Sequence, residues 1–353
     1  MQVLTHSTLV QSQVKLRRER LLPQPGEVVV SPGQEVSARQ VVARTQRAAR
    51  FHIVPASELW HIEPEAVNEH LVVSEGQEIH AGDVLLQKKR LLGGKTLESP
   101  VDGTFYGVNN GRLILQQHEW FELRALVQAR VVNAIARRGI VLEIHGSQVQ
   151  GVWGSGKEGY GGLQVAVETE RDPLAASDVG DAIDSQVIVA GVVRDVELFD
   201  RLQKGGAAGL IVGTLASELL APARRAPFPV LVTDGIGGHG MARVIFYLLR
   251  KHARSDVALF TREADYWGNR PEIIIPHELT TGMLNESAAH GPLQVGQTVR
   301  ILRAPYASQV GEVVQLNHRQ QAMPTGMSAA GAEVKLADGS IVFVPYANLD
   351  TIV

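Results

Sequence analysis

The sequence predicts a multidomain chain that joins all-β modules to an α/β domain built on a small parallel sheet. Three observations predict it. An eight-residue stretch near the N-terminal end recurs 43 residues further on. Apolar strands alternate with amphipathic helices between residues 186 and 260. Residues 293–353 read as short strands separated by turn residues. The 353 residues, 44% apolar and 20% charged, have globular composition with material for more than one core.

The net charge of −3 gives no global field toward nucleic acid or membrane. There are no cysteines, which excludes disulfides, thiolate catalysis and cysteine-held zinc or iron–sulfur centres. The opening MQVLTHSTLVQSQVKLRRER lacks the apolar core of a signal peptide. The longest strongly apolar helical stretch, around Val244–Leu249, is far shorter than the roughly 20 residues of a membrane span. A soluble, cytoplasmic protein with no membrane contact is expected. Charge is uneven locally, because residues 1–50 carry eight Lys/Arg against three Glu. Residues 1–20 read as a basic N-terminal segment, and the charge over 1–50 as a solvated tail and strand edge, with an acidic partner surface as the sharper alternative.

The recurring stretch is Val29-Val-Ser-Pro-Gly-Gln-Glu-Val36, which returns as Val72-Val-Ser-Glu-Gly-Gln-Glu-Ile79. Such a self-match is the trace of a repeated supersecondary unit. Each copy reads strand, glycine turn, strand, with Gly33 and Gly76 able to take the positive φ of a tight turn. A helical insert is expected near 55–70, and Ser99-Pro-Val-Asp-Gly-Thr104 leads into another strand. This grammar resembles the barrel-sandwich hybrid fold of biotinyl and lipoyl carrier domains, also found in membrane-fusion adaptors, the Rnf-complex C subunit and RNA polymerase insertions. The resemblance implies that both half-motifs, within 21–125, wrap into one flattened β-structure. Carrier domains present a lysine at a tight hairpin tip. The matching stretch, Gln87–Thr96, holds Lys88, Lys89 and Lys95 but no Met-Lys-Met or Asp-Lys-Ala triplet, so no attached cofactor is expected.

Residues 126–170 read as a β-rich connecting region with strands over 130–136, 140–145, 148–153 and 163–168. Within it, Gly154, Gly156 and Gly159 fit GxGxxG, and Gly151, Gly156 and Lys157 fit GxxxxGK. Glu158 stands where a phosphate loop needs Ser or Thr, and a strand follows instead of a helix, so the run reads as a turning hairpin. Residues 171–279 read as the α/β domain: strands 186–193, 210–213, 229–233 and 256–260, and helices 195–204, 215–220 and 239–252. Asp195 is placed to cap the first helix and Gly205-Gly206 to stop it. The loop Asp234–Met241 follows a strand and precedes a helix, which makes it the better glycine candidate. Asp234, Gly235, Gly237 and His239 are its ligand-site residues, for a small anion near a helix N-terminus. The glycines equally let the chain turn and the helix pack close to the sheet.

Gly151-Val-Trp-Gly-Ser-Gly156, Gly209-Leu-Ile-Val-Gly213, Thr233-Asp-Gly-Ile-Gly237 and Arg270-Pro-Glu-Ile-Ile-Ile-Pro276 together resemble an uncharacterised bacterial family. That family joins a barrel-sandwich hybrid to an α/β domain, and the likeness covers roughly residues 20–280. Its glycine loop matches at Gly235 and Gly237 but not at Gly240, and it brings no activity to transfer.

A linker is expected over 280–292 and a small β-barrel over 293–353. Val295–Val314, with Val299-Arg-Ile301, Pro305-Tyr306 and Gly311 before an apolar strand, resembles a KOW motif, which implies RNA or protein binding. The barrel's Arg300, Arg303, Arg319 and Lys335 are balanced by Glu312, Glu333, Asp338 and Asp350. RNA-binding barrels usually carry a basic face, so a protein-contact role is favoured over nucleic acid. Asn317–Ala330 reads as a long mobile loop.

No HExxH or GxSxG occurs, and no catalytic or metal-binding residues are assigned. The leading reading is a non-enzymatic binding or scaffold protein with a protein partner, and an anion site at the Asp234–Met241 loop. A nucleic-acid or transcription/translation factor acting through the C-terminal barrel comes second, and an enzyme using the α/β domain third. No cofactor is expected.

Overall fold

The computed structural model describes residues 6–88, 94–265, 269–278, 292–323 and 326–352. The chain begins with β1 (His6–Thr8), β2 (Val10–Leu21), β3 (Glu27–Val28), β4 (Glu35–Val36) and the long β5 (Val41–Val54). Helix α1 (Ala56–Trp60) and a 3-10 segment (Pro64–His70) lead to β6 (Glu78–Ile79), β7 (Val84–Lys88), β8 (Lys95–Glu98), β9 (Gly103–Asn109) and β10 (Arg112–Arg124). Next come β11 (Ala129–Ile135), β12 (Gly139–Gln150), β13 (Trp153–Gly154), β14 (Glu158–Val165) and β15 (Gln186–Val193). Helices then alternate with strands: α2 (Glu197–Lys204), β16 (Gly209–Leu215), α3 (Leu220–Arg225), β17 (Val230–Ile236), α4 (Arg243–Lys251), β18 (Asp256–Phe260) and β19 (Glu272–Pro276). The last strands are β20 (Thr298–Ile301), β21 (Val310–Ala322), β22 (Ser328–Leu336), β23 (Ile341–Pro345) and β24 (Leu349–Ile352).

The protein is mostly β, 50% strand and 14% helix. This overturns the expectation of a substantial α/β domain on its own parallel sheet. Strands β14 to β17 do run parallel, but they form one flank of a mixed 11-stranded sheet. The rest of that sheet is antiparallel and includes β18, β19, β12, β11, β4 and the N-terminal β2. Strand–helix alternation reports local order only. It does not reveal that a strand from residues 10–21 and another from 139–150 extend the same sheet. Gly146 shows the local cause of one misreading. The sequence places it between strands 140–145 and 148–153, yet β12 continues through it. A Cβ there would lie 2.1 Å from the Ile275 carbonyl oxygen of β19, so the glycine permits close strand approach.

One face of the sheet's parallel flank packs Ile188, Ala190 and Val212 against Leu198, Leu202 and Ala223 of α2 and α3. The opposite face packs Val187, Val189 and Ile211 against Ile245, Phe246 and Leu249 of α4. Asp195 caps α2 by accepting the Glu197 N–H at 2.9 Å, and its other oxygen accepts the Ala176 N–H at 2.8 Å.

The duplicated stretches keep one local geometry. Gly33 and Gly76 both take positive φ, 89° and 80°, with open space beside each. The Gly33 N–H donates to the Val131 carbonyl, as the Gly76 N–H does to that of Phe105. The copies nevertheless serve separate cores. Val30, Val36, Val42 and Ala43 pack with β2, β11 and β12. Val73, Ile79, Leu85 and Leu86 pack with Trp60, Val67, Phe105, Leu113 and Leu115. The long antiparallel ladder of β5 and β10 spans both. Its middle reaches beyond either core, and Arg47 to Phe51 are exposed.

The C-terminal part expected as a barrel is a six-stranded sheet, β1-β24-β20-β21-β22-β23, around Val299, Ile301, Val313, Val334 and Leu349, and its end strands β1 and β23 do not pair among the described residues. The N-terminal segment supplies β1, which runs parallel to β24. Asn317–Ala330, expected as a mobile loop, is mainly the outer part of a β21–β22 hairpin, with Gln321 opposite Ala329. The expected linker 280–292 lies, apart from its last residue, outside the described residues. No helix among the described residues is long and apolar enough to cross a membrane.

Candidate functional site

The glycine loop 234–241 sits where β17 ends and the chain turns into α4. Gly235 and Gly237 carry positive φ, 150° and 146°, and only the His239 ring approaches Gly237. His239 is exposed. Asp234 turns the other way and its side chain is fully buried. One carboxylate oxygen accepts the Ala242 N–H at 2.9 Å and the Thr233 hydroxyl at 2.6 Å. The chain entering α4 therefore already gives its N–H to a carboxylate from within the protein, and the helix starts at Arg243 instead of His239. Other loop amides are spent too: Gly237 N–H on Leu215 O at 2.9 Å, and Met241 N–H on Glu170 O at 2.8 Å. The loop packs tightly against the sheet, since a Cβ on Gly213 would lie 2.4 Å from the Met241 backbone. Gly235 is thus still part of β17, opposite Thr214, while Gly237 and His239 follow in the turn and Asp234 belongs to the interior.

The other Asp234 oxygen meets the barrel. Arg300 of β20 donates from Nη1 to Asp234 Oδ1 at 2.8 Å and to the Thr233 carbonyl at 3.0 Å. From Nη2 it donates to Asp350 of β24 and to Thr8 Oγ1 of β1 at 3.1 Å. Thr8 in turn donates to Asp350 Oδ2 at 2.7 Å and accepts from Arg270 at 3.1 Å. Arg300, Asp234 and Asp350 side chains are 1%, 0% and 3% exposed. Burial pulls the Arg300 guanidinium down, and the two carboxylates more than offset it, leaving it above its ordinary value. This clasp ties β1, the barrel and the β17–α4 corner together. In the sequence Arg300 enters only as one of four cations in the charge balance of 293–353, and nothing in its neighbours signals burial beside two carboxylates.

A second cluster lies on the antiparallel flank. Ser147 of β12 is buried, and its Oγ donates to the Ser12 carbonyl at 2.8 Å. His277 Nε2 lies 2.8 Å from the same oxygen and His252 Nε2 lies 3.3 Å from it. The two rings stack at 4.8 Å. His277 Nδ1 lies 2.9 Å from the Glu278 carbonyl oxygen. Burial, then His277 and Lys251, lower the His252 pKa. His277 also lines a cleft of about 580 Å3 with Glu35, Arg130, Glu143, His145 and Glu278. Bonding to Lys15, opposed by burial and helped by Arg17, holds Glu143 below the usual carboxylate range. The Ser147 hydroxyl is aimed at backbone behind the cleft wall, so the cluster positions β2, β12 and the chain after β19. The pairing of Gly146 with Pro276 sets His277 beside Ser147, and the end of α4 brings His252 to them, which no sequence spacing encodes.

Stability should follow His252. Its folded pKa lies below the ordinary 6.5, so its contribution is complete above about pH 6.5. It fades as pH falls, because the unfolded chain takes up the proton first. Urea midpoints are expected to drop between pH 7.5 and 5.5, and His252→Gln should lessen that drop.

The N-terminal basic residues are placed with acids. Lys15 and Arg17 meet Glu143, Arg18 binds Glu272 through two 2.5 Å bonds, and Arg20 binds Glu158 at 2.8 and 2.9 Å. From Val10 onward the expected basic tail is a strand within the large sheet. Of the three hairpin lysines, Lys88 and Lys95 stand opposite each other on β7 and β8, and Lys95 donates to Leu59 O at 3.2 Å. Lys89 lies outside the described residues. Among the described residues, no three His, Asp or Glu side chains gather into a metal-holding group. Comparison with protein-family models and with curated proteins finds no match for this chain.

Proposed function

We propose that this chain is a non-enzymatic, cytoplasmic binding protein, a rigid scaffold that holds β modules in fixed relation and docks a protein partner. The observation that carries the reading is the buried Arg300 clasp, which joins three remote parts of the chain while large recognition-type side chains stay outside. Phe51, Ile53, Tyr106 and Trp120 are each more than half exposed. Aromatic and arginine side chains supply most binding energy at protein interfaces. The barrel-sandwich and KOW likenesses belong to this reading, since both folds serve as contact modules. The nucleic-acid alternative is weakened, because Arg300 is spent inside and the remaining cations of this part, Arg303, Arg319 and Lys335, are matched in number by Glu312, Glu333 and Asp338. An anion at Gly235, Gly237 and His239 is the lesser part of the proposal.

The test uses the full chain expressed in its source cells and in isolation. One protein should co-purify at fixed stoichiometry through gel filtration, and incubation with a metabolite extract should leave metabolite masses unchanged. Consumption of a metabolite with matching product, abolished by His277→Ala or Ser147→Ala, would make the chain an enzyme.

A further inference from the structure

Strand β5 pairs with β10 along its length on one side. On the other side β3 covers only Arg44 and Ala43. Among the described residues no strand pairs with the second edge of β5 from Arg47 to Ile53. Residues 47–51 and Ile53 are exposed, and Ala48 and Ala49 offer no bulk against an approaching backbone. A free strand edge is a row of unpaired N–H and C=O groups, and adding a strand to it is a common mode of peptide recognition.

The side chains define what such a strand would carry. Residues 41–54 include Arg44, Arg47 and Arg50 and no acid. Arg44 bonds Glu27 and Arg47 bonds Glu119, but Arg50 reaches only the neutral Gln117 at 3.0 Å. On the outer sheet face beside this edge, Phe51 meets Tyr106 edge-on at 5.2 Å, and Ile53 stands opposite Ile114. The register slips between Gln117 and His118, leaving Ala49 unpaired, so the straight docking edge is Arg50–Ile53 with Arg47 flanking it. A second copy of β5 laid antiparallel on this edge would set arginine beside arginine. We infer that the edge of β5 takes up an extended, acidic segment of a partner protein. Its carboxylates pair with Arg50, and alternate apolar residues cover Phe51 and Ile53. This rests on the binding-protein reading above and names its partner's chemistry.

The test titrates the full chain into a fluorescein-labelled eight-residue peptide of alternating Glu and Val, with a Lys-for-Glu peptide as control. Anisotropy should show saturable binding that weakens with salt, and amide exchange should slow at residues 50–53. Arg50→Glu, with its melting temperature unchanged, should bind at least about tenfold more weakly, a loss of roughly 1.4 kcal/mol. Phe51→Ser should weaken binding without altering its salt dependence. Equal binding of both peptides, no binding, or a β5-mediated dimer in light scattering overturns the proposal. If the peptide fails while a native protein still co-purifies at fixed stoichiometry, only the β5 edge is wrong. A peptide recovered cleaved or modified would overturn the scaffold reading itself.

Discussion

Replacing Arg300 by methionine is expected to destabilise the protein by about 3–5 kcal/mol. The substitution keeps most of the side-chain volume but removes the partner of two carboxylates that are 0% and 3% exposed. Left behind, they have lost their charge compensation while still lacking water. Thr8 Oγ1 and the Thr233 carbonyl lose a donor at the same time. The damage should be directional. Amide exchange should accelerate in β1, β20 and β24 and at the start of α4, while the β5–β10 ladder keeps its protection. Adding Asp350→Leu to Arg300→Met should recover part of the loss, because one stranded charge is then removed as well. A double-mutant cycle in urea measures that coupling. If Arg300→Met unfolds at the wild-type midpoint, the clasp does not hold the barrel.

Phe105→Ala is expected to cost about 3–5 kcal/mol as well, for a different reason. Phe105 is fully buried in the second repeat's core, against Trp60, Val67, Leu113 and Leu115. Truncation removes apolar contact and leaves a cavity that the short β6 and β9 strands cannot close. Because the two repeat copies sit in separate cores, the loss should be local. Exchange should rise across residues 54–115, with Val36, Ile140 and Leu142 in the first core unaffected. Uniform destabilisation of both cores would mean that the β5–β10 ladder transmits the disturbance as one cooperative unit.

Local signals in this sequence were strong. The strand 186–193 lies where a continuous apolar run places it, Asp195 caps α2, and both repeat glycines turn with positive φ. These features depend on residues within a few positions of one another. Sheet membership does not. Nothing in residues 10–21 tells that they pair with 139–149, so the large mixed sheet was read as a smaller parallel one. The site shows the same divide. Asp234 stood out because it follows a strand and precedes glycines, but its partner Arg300 is 66 residues away and Thr8 is 292 from Arg300. Burial of a charged group depends on what arrives from elsewhere in the chain. The Ser147, His252 and His277 cluster was missed for that reason, since three elements converge only after the sheet has formed.

The meeting of Thr8 with Asp350, 342 positions apart, carries a consequence for biogenesis. During translation β1 emerges well before its hydrogen-bonding neighbour β24. At roughly 5–20 residues per second that delay is about 20–70 s. Throughout it, Arg300 and Asp234 have nowhere dry to meet, and the half-built barrel keeps an open edge. The nascent chain must therefore be protected from its neighbours until β24 has emerged, which makes its yield sensitive to chaperone supply and growth temperature.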